Sequence, residues 1–146
     1  MIAADPPHGQ PVRGDFMVRV YYEDTDHGGV VYHANYLRFM ERARTEMLRV
    51  HGLELDRLER EDGAVFAVRR ATLDFVAPAR FNQLLLVSTR IGRATPVRMI
   101  FRQEITADKQ LLCRGEVEVA CLNAATFRPQ RIPQQILQAF FPTLLP

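Results

Sequence analysis

The chain has 146 residues, of which 47% are hydrophobic and 25% charged, and a formal net charge of +2. These values predict one soluble domain, long enough to bury a core without disulfides or a structural metal. They exclude a membrane-spanning helix, because no apolar run approaches 18 residues. The near-neutral charge also argues against a nucleic-acid-binding surface.

The N-terminal region divides into an arm and a strand. Residues 1–15 contain three prolines and two glycines and are predicted to form a flexible arm. Alternating apolar residues from Phe16 to Tyr22 then predict a strand with Phe16, Val18, Val20 and Tyr22 on one face. We expect a single domain over 16–141 and a short tail over 142–146.

From about His33 to Val50 the apolar residues no longer alternate but recur with a period of 3.6 residues, which predicts a helix. Gly52 follows in the position where helices commonly end. The predicted buried stripe comprises Tyr36, Met40, Ala43 and Met47, with Leu37, Arg44 and Leu48 alongside. Charged residues three and four apart, Glu41 with Arg44 and Arg42 with Glu46, are interpreted as ion pairs within the helix.

Residues 64–123 alternate with a period of two and predict four long strands joined by short links, an antiparallel meander. One helix covers only one face of such a sheet, so the fold class is α+β, with an antiparallel sheet curled around a long helix. The uncovered face and edges favour a partner subunit. The predicted strands are Val65–Val76, Leu84–Ile91, Val97–Ile105 and Leu111–Leu122, and an amphipathic turn follows at Ile136–Phe141.

The two cysteines predict a reducing compartment. Cys113 and Cys121 lie eight residues apart in one strand, about 26 Å at the rise of a β-strand, which is too far for a disulfide. They share a face with Val117 and Val119, so we expect inert core thiols. The first residues also lack a secretory signal pattern. Together these features predict a cytoplasmic protein.

The densest polar cluster is Glu23-Asp24-Thr25-Asp26-His27-Gly28-Gly29, between the first strand and the long helix. A calcium loop is excluded, because Gly28 and Asn35 would occupy ligand positions. A phosphatase nucleophile is excluded because the single lysine, Lys109, lies in a hairpin turn. Two interpretations remain open: a polar turn that caps the helix, or acyl transfer to water by a carboxylate beside the amides of a helix N-terminus.

The run YYEDTDHGGVVYHANYLRFMERARTEML, from Tyr21 to Leu48, resembles the signature of the acyl-CoA thioesterases of the 4-hydroxybenzoyl-CoA thioesterase family. It is most similar to the YbgC type associated with the bacterial Tol-Pal system. Asp74-Phe75 followed by Pro78-Ala79-Arg80 resembles the second strand of that group and the turn after it. The resemblance spans about residues 16 to 140 and implies the hotdog fold, a central helix wrapped by an antiparallel sheet.

The resemblance implies three catalytic positions. Asp26 matches the family's carboxylate, acting as nucleophile or general base. His33 matches the position whose backbone amide polarises the thioester carbonyl, and in YbgC-type members its side chain is also counted in the site. Tyr22 matches a tyrosine that lines the site. From the residues alone, Tyr22 could equally be a core tyrosine, and His33 could contribute only its amide.

Substrate-binding positions follow from the same resemblance: Gly29, Val30 and Asn35 beside the catalytic carboxylate, and Arg69 and Arg70 for the phosphates of coenzyme A. From residue type alone, Asn35 is most simply an N-cap of the helix. The wider set of arginine candidates for the phosphates also includes Arg80, Arg93, Arg98 and Arg102.

The predicted function is hydrolysis of acyl-CoA to free acid and coenzyme A, with no cofactor and no metal. The resemblance implies a homodimer or homotetramer, and acyl carrier protein is a further candidate partner. Two alternatives stay open at this point. The first is a hotdog module that binds acyl-CoA or acyl carrier protein without turnover, and the second is hydratase or dehydratase chemistry on the same fold.

Overall fold

The computed structural model describes residues 12–142 and residue 145. Strand β1 begins at Arg13, within the segment predicted as an arm. Residues 1–11 of that arm, and residues 143, 144 and 146 of the predicted tail, lie outside the described residues. The elements are β1 Arg13–Arg19, α1 Asn35–Val50, α2 Leu55–Asp62, β2 Ala64–Phe75, β3 Leu84–Thr95, β4 Arg98–Ala107, β5 Gln110–Asn123 and α3 Gln134–Phe140.

The five strands form one antiparallel sheet in the order β1-β3-β4-β5-β2. Strands β3, β4 and β5 form the predicted meander, joined at one hairpin by Asp108 and Lys109, both with positive φ. The prediction that β2 continues this meander is wrong. β2 pairs with β5 at one edge, while β1 pairs with β3 at the other.

The link between β2 and β3 explains this order. The amides of Val76 and Ala77 both donate to Leu112 O, and the amide of Val31 donates to Ala79 O. The chain therefore leaves the sheet after β2 and crosses below the start of α1. It returns beside β1, where the amide of Asn82 donates to Val20 O, and β3 begins there.

Helix α1 packs across one face of the sheet. The predicted stripe of Tyr36, Met40, Ala43 and Met47 is buried, and Arg44 and Leu48 are buried with it. Leu37 is 39% exposed instead, and Phe39 takes its place in the core. The core therefore lies between α1 and the inward residues of β3, β4 and β5, as one amphipathic helix on a curved sheet requires.

The ion pairs predicted along α1 are not the ones formed. Arg44 turns toward the sheet and donates to Gln103 Oε1 at 2.9 Å. Glu46 lies 3.7 Å from Arg49 rather than beside Arg42. Arg44 is buried against the sheet and forms no ion pair within 4.0 Å among the described residues, but Glu41 still acts on it: burial lowers the pKa of Arg44, and the charge of Glu41 raises it.

Two shorter helices complete the fold. The sequence analysis missed α2, in which only Leu58 is buried. Helix α3 matches the predicted amphipathic turn and buries Ile136, Leu137 and Phe140 against the end of the core. No helix in the described part of the chain is both long and apolar enough to cross a membrane.

Both cysteines are free and buried, as predicted. Burial raises the pKa of the Cys113 thiol to about 11, with a smaller contribution from the charge of Asp74. Burial also raises the pKa of the Cys121 thiol to about 11. Because the thiolate is the reactive form, both thiols are unreactive core groups at neutral pH.

Candidate active site

The loop between β1 and α1 is held by Asp24. Its side chain is only 7% exposed. One carboxylate oxygen accepts a hydrogen bond from the amide of Tyr21 and the other from the Asn35 side chain, both at 2.8 Å. The carbonyl oxygen of Asp24 also accepts from the amide of Tyr32. Asp24 therefore fastens the loop to the start of α1.

Asp26, two residues later, is exposed at the beginning of a tight turn. Its amide donates to Val30 O at 2.9 Å, and the amide of Gly29 donates back to Asp26 O at 3.1 Å. Gly29 has φ +78°, the left-handed conformation that favours glycine. Oδ1 of Asp26 accepts a hydrogen bond from the Gly28 amide at 2.8 Å. The turn therefore orients the carboxylate while leaving it open to a ligand.

The first turn of α1 begins beside this carboxylate. Thr25 and Val31 pair as an isolated bridge, which brings the Asp26 turn next to the chain that enters the helix. Among the described residues, the amides of His33 and Ala34 have no hydrogen-bond acceptor. Unpaired N–H groups at a helix N-terminus carry partial positive charge and bind anions or polarised carbonyls. The His33 side chain is exposed at the same place.

Asn35 is not the N-cap of the helix. Ala34 occupies that position, with helical dihedral angles and no side-chain cap, and Asn35 is the first residue of α1. The Asn35 amide group is directed into the loop, where Asp24 accepts its hydrogen bond. The buried carboxylate competes for the side chain that an N-cap would need.

Aromatic rings form one wall of this corner. Phe75, at the end of β2, lies 6.5 Å from the His33 ring and 5.5 Å from the Tyr36 ring. The Tyr36 hydroxyl is buried and accepts a hydrogen bond from the amide of Ala79. Burial raises the pKa of Tyr36, and the negative charge of Asp26 adds to the increase.

Tyr22 is 77% exposed, so the interpretation of a core tyrosine is wrong. Strand β1 ends at Arg19, and the chain then turns through a single 3₁₀ turn at Tyr22–Asp24, which directs Tyr22 outward. Its ring stacks on Phe81 with centroids 4.0 Å apart and an angle of 5° between the planes. Tyr22 and Phe81 therefore present a flat aromatic surface on the same loop as Asp26.

Residues 20–140 match the model of the thioesterase-like superfamily, which covers most of the chain. The chain belongs to this superfamily. The match includes the Asp26 turn, α1 and the whole sheet except β1. Solved hotdog thioesterases share the architecture, so the predicted fold is confirmed.

Relatives in the thioesterase-like superfamily align over most of their length. The chain is 45% identical to the acyl-CoA thioester hydrolase YbgC of Escherichia coli, over 84% of this chain and 92% of the relative. It is 39% identical to the acyl-CoA thioesterase YbgC of Haemophilus influenzae, over 86% and 92%. A probable thioesterase structure from Bartonella henselae superposes with a TM-score of 0.80 at 40% identity, covering 83% of this chain and 99% of that one.

A more distant structure in the superfamily is similarly close in shape. The 1,4-dihydroxy-2-naphthoyl-CoA thioesterase of Synechocystis superposes with a TM-score of 0.81 at 28% identity. The alignment covers 87% of this chain and 94% of that one. The match to the thioesterase-like superfamily therefore rests on sequence and on three-dimensional structure.

The structure brings some of the predicted residues together and separates others. Gly29 and Val30 belong to the Asp26 turn, and Val30 pairs with Arg80 as an isolated bridge. Arg69 and Arg70 lie in the middle of β2, five or six residues before Phe75, which is roughly 17–20 Å along a strand. Both are exposed, and Arg69 forms a 3.1 Å ion pair with Glu118. They are not neighbours of Asp26 within this chain.

Two residues of the site escaped the sequence analysis. Asp24 was one of three carboxylates in an acidic turn, and nothing in its spacing marked it as the buried one. Phe75 was noted only as part of a motif, although it faces both His33 and Tyr36. The signal for Phe75 was its place at the end of a strand just before Pro78, where the chain leaves the sheet.

Proposed function

We propose that this protein hydrolyses the thioester bond of acyl-CoA, releasing a free acid and coenzyme A. The observation that carries the proposal is the placement of Asp26 beside the first turn of α1, where the His33 amide has no acceptor among the described residues. The relatives named as acyl-CoA thioesterases support the same substrate class.

In this mechanism the thioester carbonyl oxygen accepts a hydrogen bond from the His33 amide. The dipole of α1 stabilises the negative charge that develops on that oxygen. Asp26 then either attacks the carbonyl carbon, forming an anhydride that water hydrolyses, or removes a proton from an attacking water. In both cases the bond to sulfur breaks, and the thiolate of coenzyme A leaves and takes up a proton.

The surrounding residues have supporting roles in this proposal. Gly29 allows the tight turn that presents Asp26, Val30 accepts the Asp26 amide hydrogen bond, and Asn35 holds the loop through Asp24. Tyr22 lines the entrance together with Phe81. The His33 side chain, exposed at the helix start, borders the reacting carbonyl.

Arg69 and Arg70 would bind phosphates of coenzyme A at a distance from the reacting thioester. Their exposure and their position along β2 fit the far end of an extended cofactor-like substrate. Arginine suits this role because its planar guanidinium matches phosphate oxygens. The ion pair between Arg69 and Glu118 is exposed on the arginine side and would exchange readily for a phosphate.

The enzyme would work in the cytoplasm as a homodimer or homotetramer, with the acyl chain between subunits. Support comes from β2, which is a 12-residue edge strand with exposed Val68 and Phe75, and from the exposed Val76 that follows it. Uncovered strand edges pair readily with a second chain. The thioester of acyl carrier protein is a second substrate with the same reacting group.

A thiol-release assay tests this function directly. Purified protein is incubated with short, long and aromatic acyl-CoAs, while free thiol and free acid are both measured. We expect equimolar release of both products from at least one substrate. Binding without release would instead support the non-catalytic module. Formation of an enoyl product from a 3-hydroxyacyl-CoA, with no thiol, would support hydratase chemistry.

A further inference from the structure

The face of the sheet that points away from α1 carries two rows of mostly charged side chains. Alternate residues of β3, β4 and β5 are buried toward α1, and the residues between them lie on this outer face. The strand register places one residue of each of the five strands in each row. The first row is Arg13, Arg90, Arg102, Glu116 and Thr72, and the second row is Asp15, Ser88, Glu104, Arg114 and Asp74. The first row is therefore net positive and the second net negative.

The first row places three arginines side by side. Arg90 pairs in register with Arg13 on one side and with Arg102 on the other. Like charges directly opposite each other destabilise a sheet. Arg13 lies 3.0 Å from Asp15. Arg102 lies 3.4 Å from Glu116, whereas Arg90 forms no ion pair within 4.0 Å with any described residue. The chain alone therefore neutralises this row only in part.

A depression of about 480 Å³ lies between the two rows. The backbone of Gly115 forms part of its floor, because an added Cβ at Gly115 would point to the other side of the sheet, 3.1 Å from Met40 Sδ. Long side chains of a docked surface therefore have room between the rows. The walls of the depression include Arg13, Arg90, Arg102, Glu104, Arg114 and Glu116.

Two copies of this outer face match in charge about one twofold axis. Sheets that pack face to face keep their strands aligned within about 30°, and identical copies most commonly pair about a twofold axis. An axis that runs across the strands, midway between the rows, sets each strand against its own copy and the first row against the second. The facing pairs are then Arg13 with the partner's Asp15, Arg90 with the partner's Ser88, Arg102 with the partner's Glu104, Glu116 with the partner's Arg114 and Thr72 with the partner's Asp74. No pair joins two like charges.

The other aligned twofold axis brings like charges together. β4 is the middle strand of the sheet. An axis along β4 sets Arg102 against the partner's Arg102 and Glu104 against the partner's Glu104. It also sets Asp15 against the partner's Asp74. Like charges that face each other across an interface oppose association. The charge pattern therefore selects the axis across the strands.

The outer face is large enough for a specific interface. Five strands about 4.8 Å apart and the seven residues of β1 measure about 24 by 23 Å. Full contact would bury about 1,100 Å² on two copies, just above the ~1,000 Å² expected of a specific interface. Apolar side chains flank the rows, with Leu86 beyond the second row and Ile100 beyond the first. The axis across the strands brings Leu86 beside the partner's Ile100.

We propose that the outer face of the sheet is an interface between two copies of this chain, related by a twofold axis that runs across the strands. This interface is separate from the edge of β2, where a second subunit is also proposed to pair. Used together, the two contacts would build a tetramer. The inference concerns assembly and does not rest on the proposed hydrolysis.

Charge reversal tests the interface, with the mass of the assembly measured by sedimentation velocity. Arg102→Glu places a glutamate opposite the partner's Glu104, and Glu104→Arg places an arginine opposite the partner's Arg102. Each variant should have half the wild-type mass, whether or not the β2 edge also pairs. The double variant Arg102→Glu/Glu104→Arg restores opposite charges at both contacts and should regain the full mass. Arg128→Glu, the same charge change at an exposed position after β5, should keep the wild-type mass.

The double variant separates assembly from changes within the chain. It lacks the ion pair between Arg102 and Glu116, as Arg102→Glu does, so loss of that pair would not explain a recovered mass. Circular dichroism establishes that each variant is folded. A monomeric wild-type protein, an unchanged mass in both folded single variants, or a double variant that stays at half mass would each overturn the proposal. An unchanged mass would leave a small ligand or solvent as the occupant of the depression. Thiol release by the wild-type protein tests the proposed hydrolysis independently of these masses.

Discussion

The side chain of Asn35, the first residue of α1, donates a 2.8 Å hydrogen bond to the buried carboxylate of Asp24. This bond joins the helix start to the loop that carries Asp26. Two aspartates only two residues apart therefore differ in environment, since Asp24 is buried and bonded at both oxygens while Asp26 is exposed. The first is a structural group, and the second is available for chemistry.

Asn35→Ala should destabilise the protein, because it removes a donor from a buried carboxylate. We expect the free energy of unfolding to fall by about 1–3 kcal/mol. Urea unfolding followed by circular dichroism measures the change. Asp26→Asn is the comparison and should stay within about 0.5 kcal/mol of the wild-type protein. Equal losses in the two variants would contradict the division between the two aspartates.

Gly29→Ala should reduce both stability and activity, while Gly52→Ala should reduce stability alone. Both glycines have positive φ, +78° and +75°, and an added Cβ would meet no atom within 4 Å at either site. The cost is therefore backbone strain of about 1–2 kcal/mol in each variant. Only Gly29 shapes the turn that orients Asp26. Thermal unfolding and thiol release, measured on both variants, separate the two effects.

The helix α1 and most of the sheet were predictable, because their apolar residues repeat with clear periods. Helix α2 was missed because its sequence, LDRLERED, offers two apolar residues, of which only Leu58 is buried. The position of β2 beside β5 depends on contacts of the 76–83 link with Val31 and Leu112. Those contacts join residues that are far apart in the sequence, so no local sequence pattern predicts them.

The site was predictable in part. The residues alone predicted an acidic, glycine-bearing turn before a helix, and the resemblance to the thioesterases singled out Asp26 within that turn. The sequence alternation runs from Phe16 to Tyr22, but strand β1 ends earlier, at Arg19. The burial of Asp24 and the outward direction of Tyr22 follow from this earlier end of the strand. Arg44 is buried with the apolar stripe of α1 and donates to Gln103, although its charge had suggested an ion pair with Glu41.

The stability of the protein should fall as the pH rises above about 8.5. Folding raises the pKa of the Cys113 and Cys121 thiols to about 11, above their value in the unfolded chain. The unfolded state therefore loses these protons first. Stability is fully present below the unfolded pKa and is lost as the pH approaches 11.

The expected loss is about 1.4 kcal/mol per pH unit for each thiol. Urea unfolding at pH 8, 9 and 10 measures it. Cys121→Ala should reduce the slope of the free energy of unfolding against pH between pH 9 and 10, whatever its effect on stability at pH 8. The same slope in the wild-type protein and in Cys121→Ala would show that the thiols do not titrate in this way.

The central claim is that Asp26 is the reacting carboxylate, and one comparison tests it most directly. The kcat/KM for thiol release is measured for Asp26→Asn and for Glu23→Gln, which alters an exposed carboxylate three residues earlier in the same loop. We expect a loss of at least about 100-fold in Asp26→Asn and near-normal activity in Glu23→Gln. Near-normal turnover in a folded Asp26→Asn variant would contradict the account.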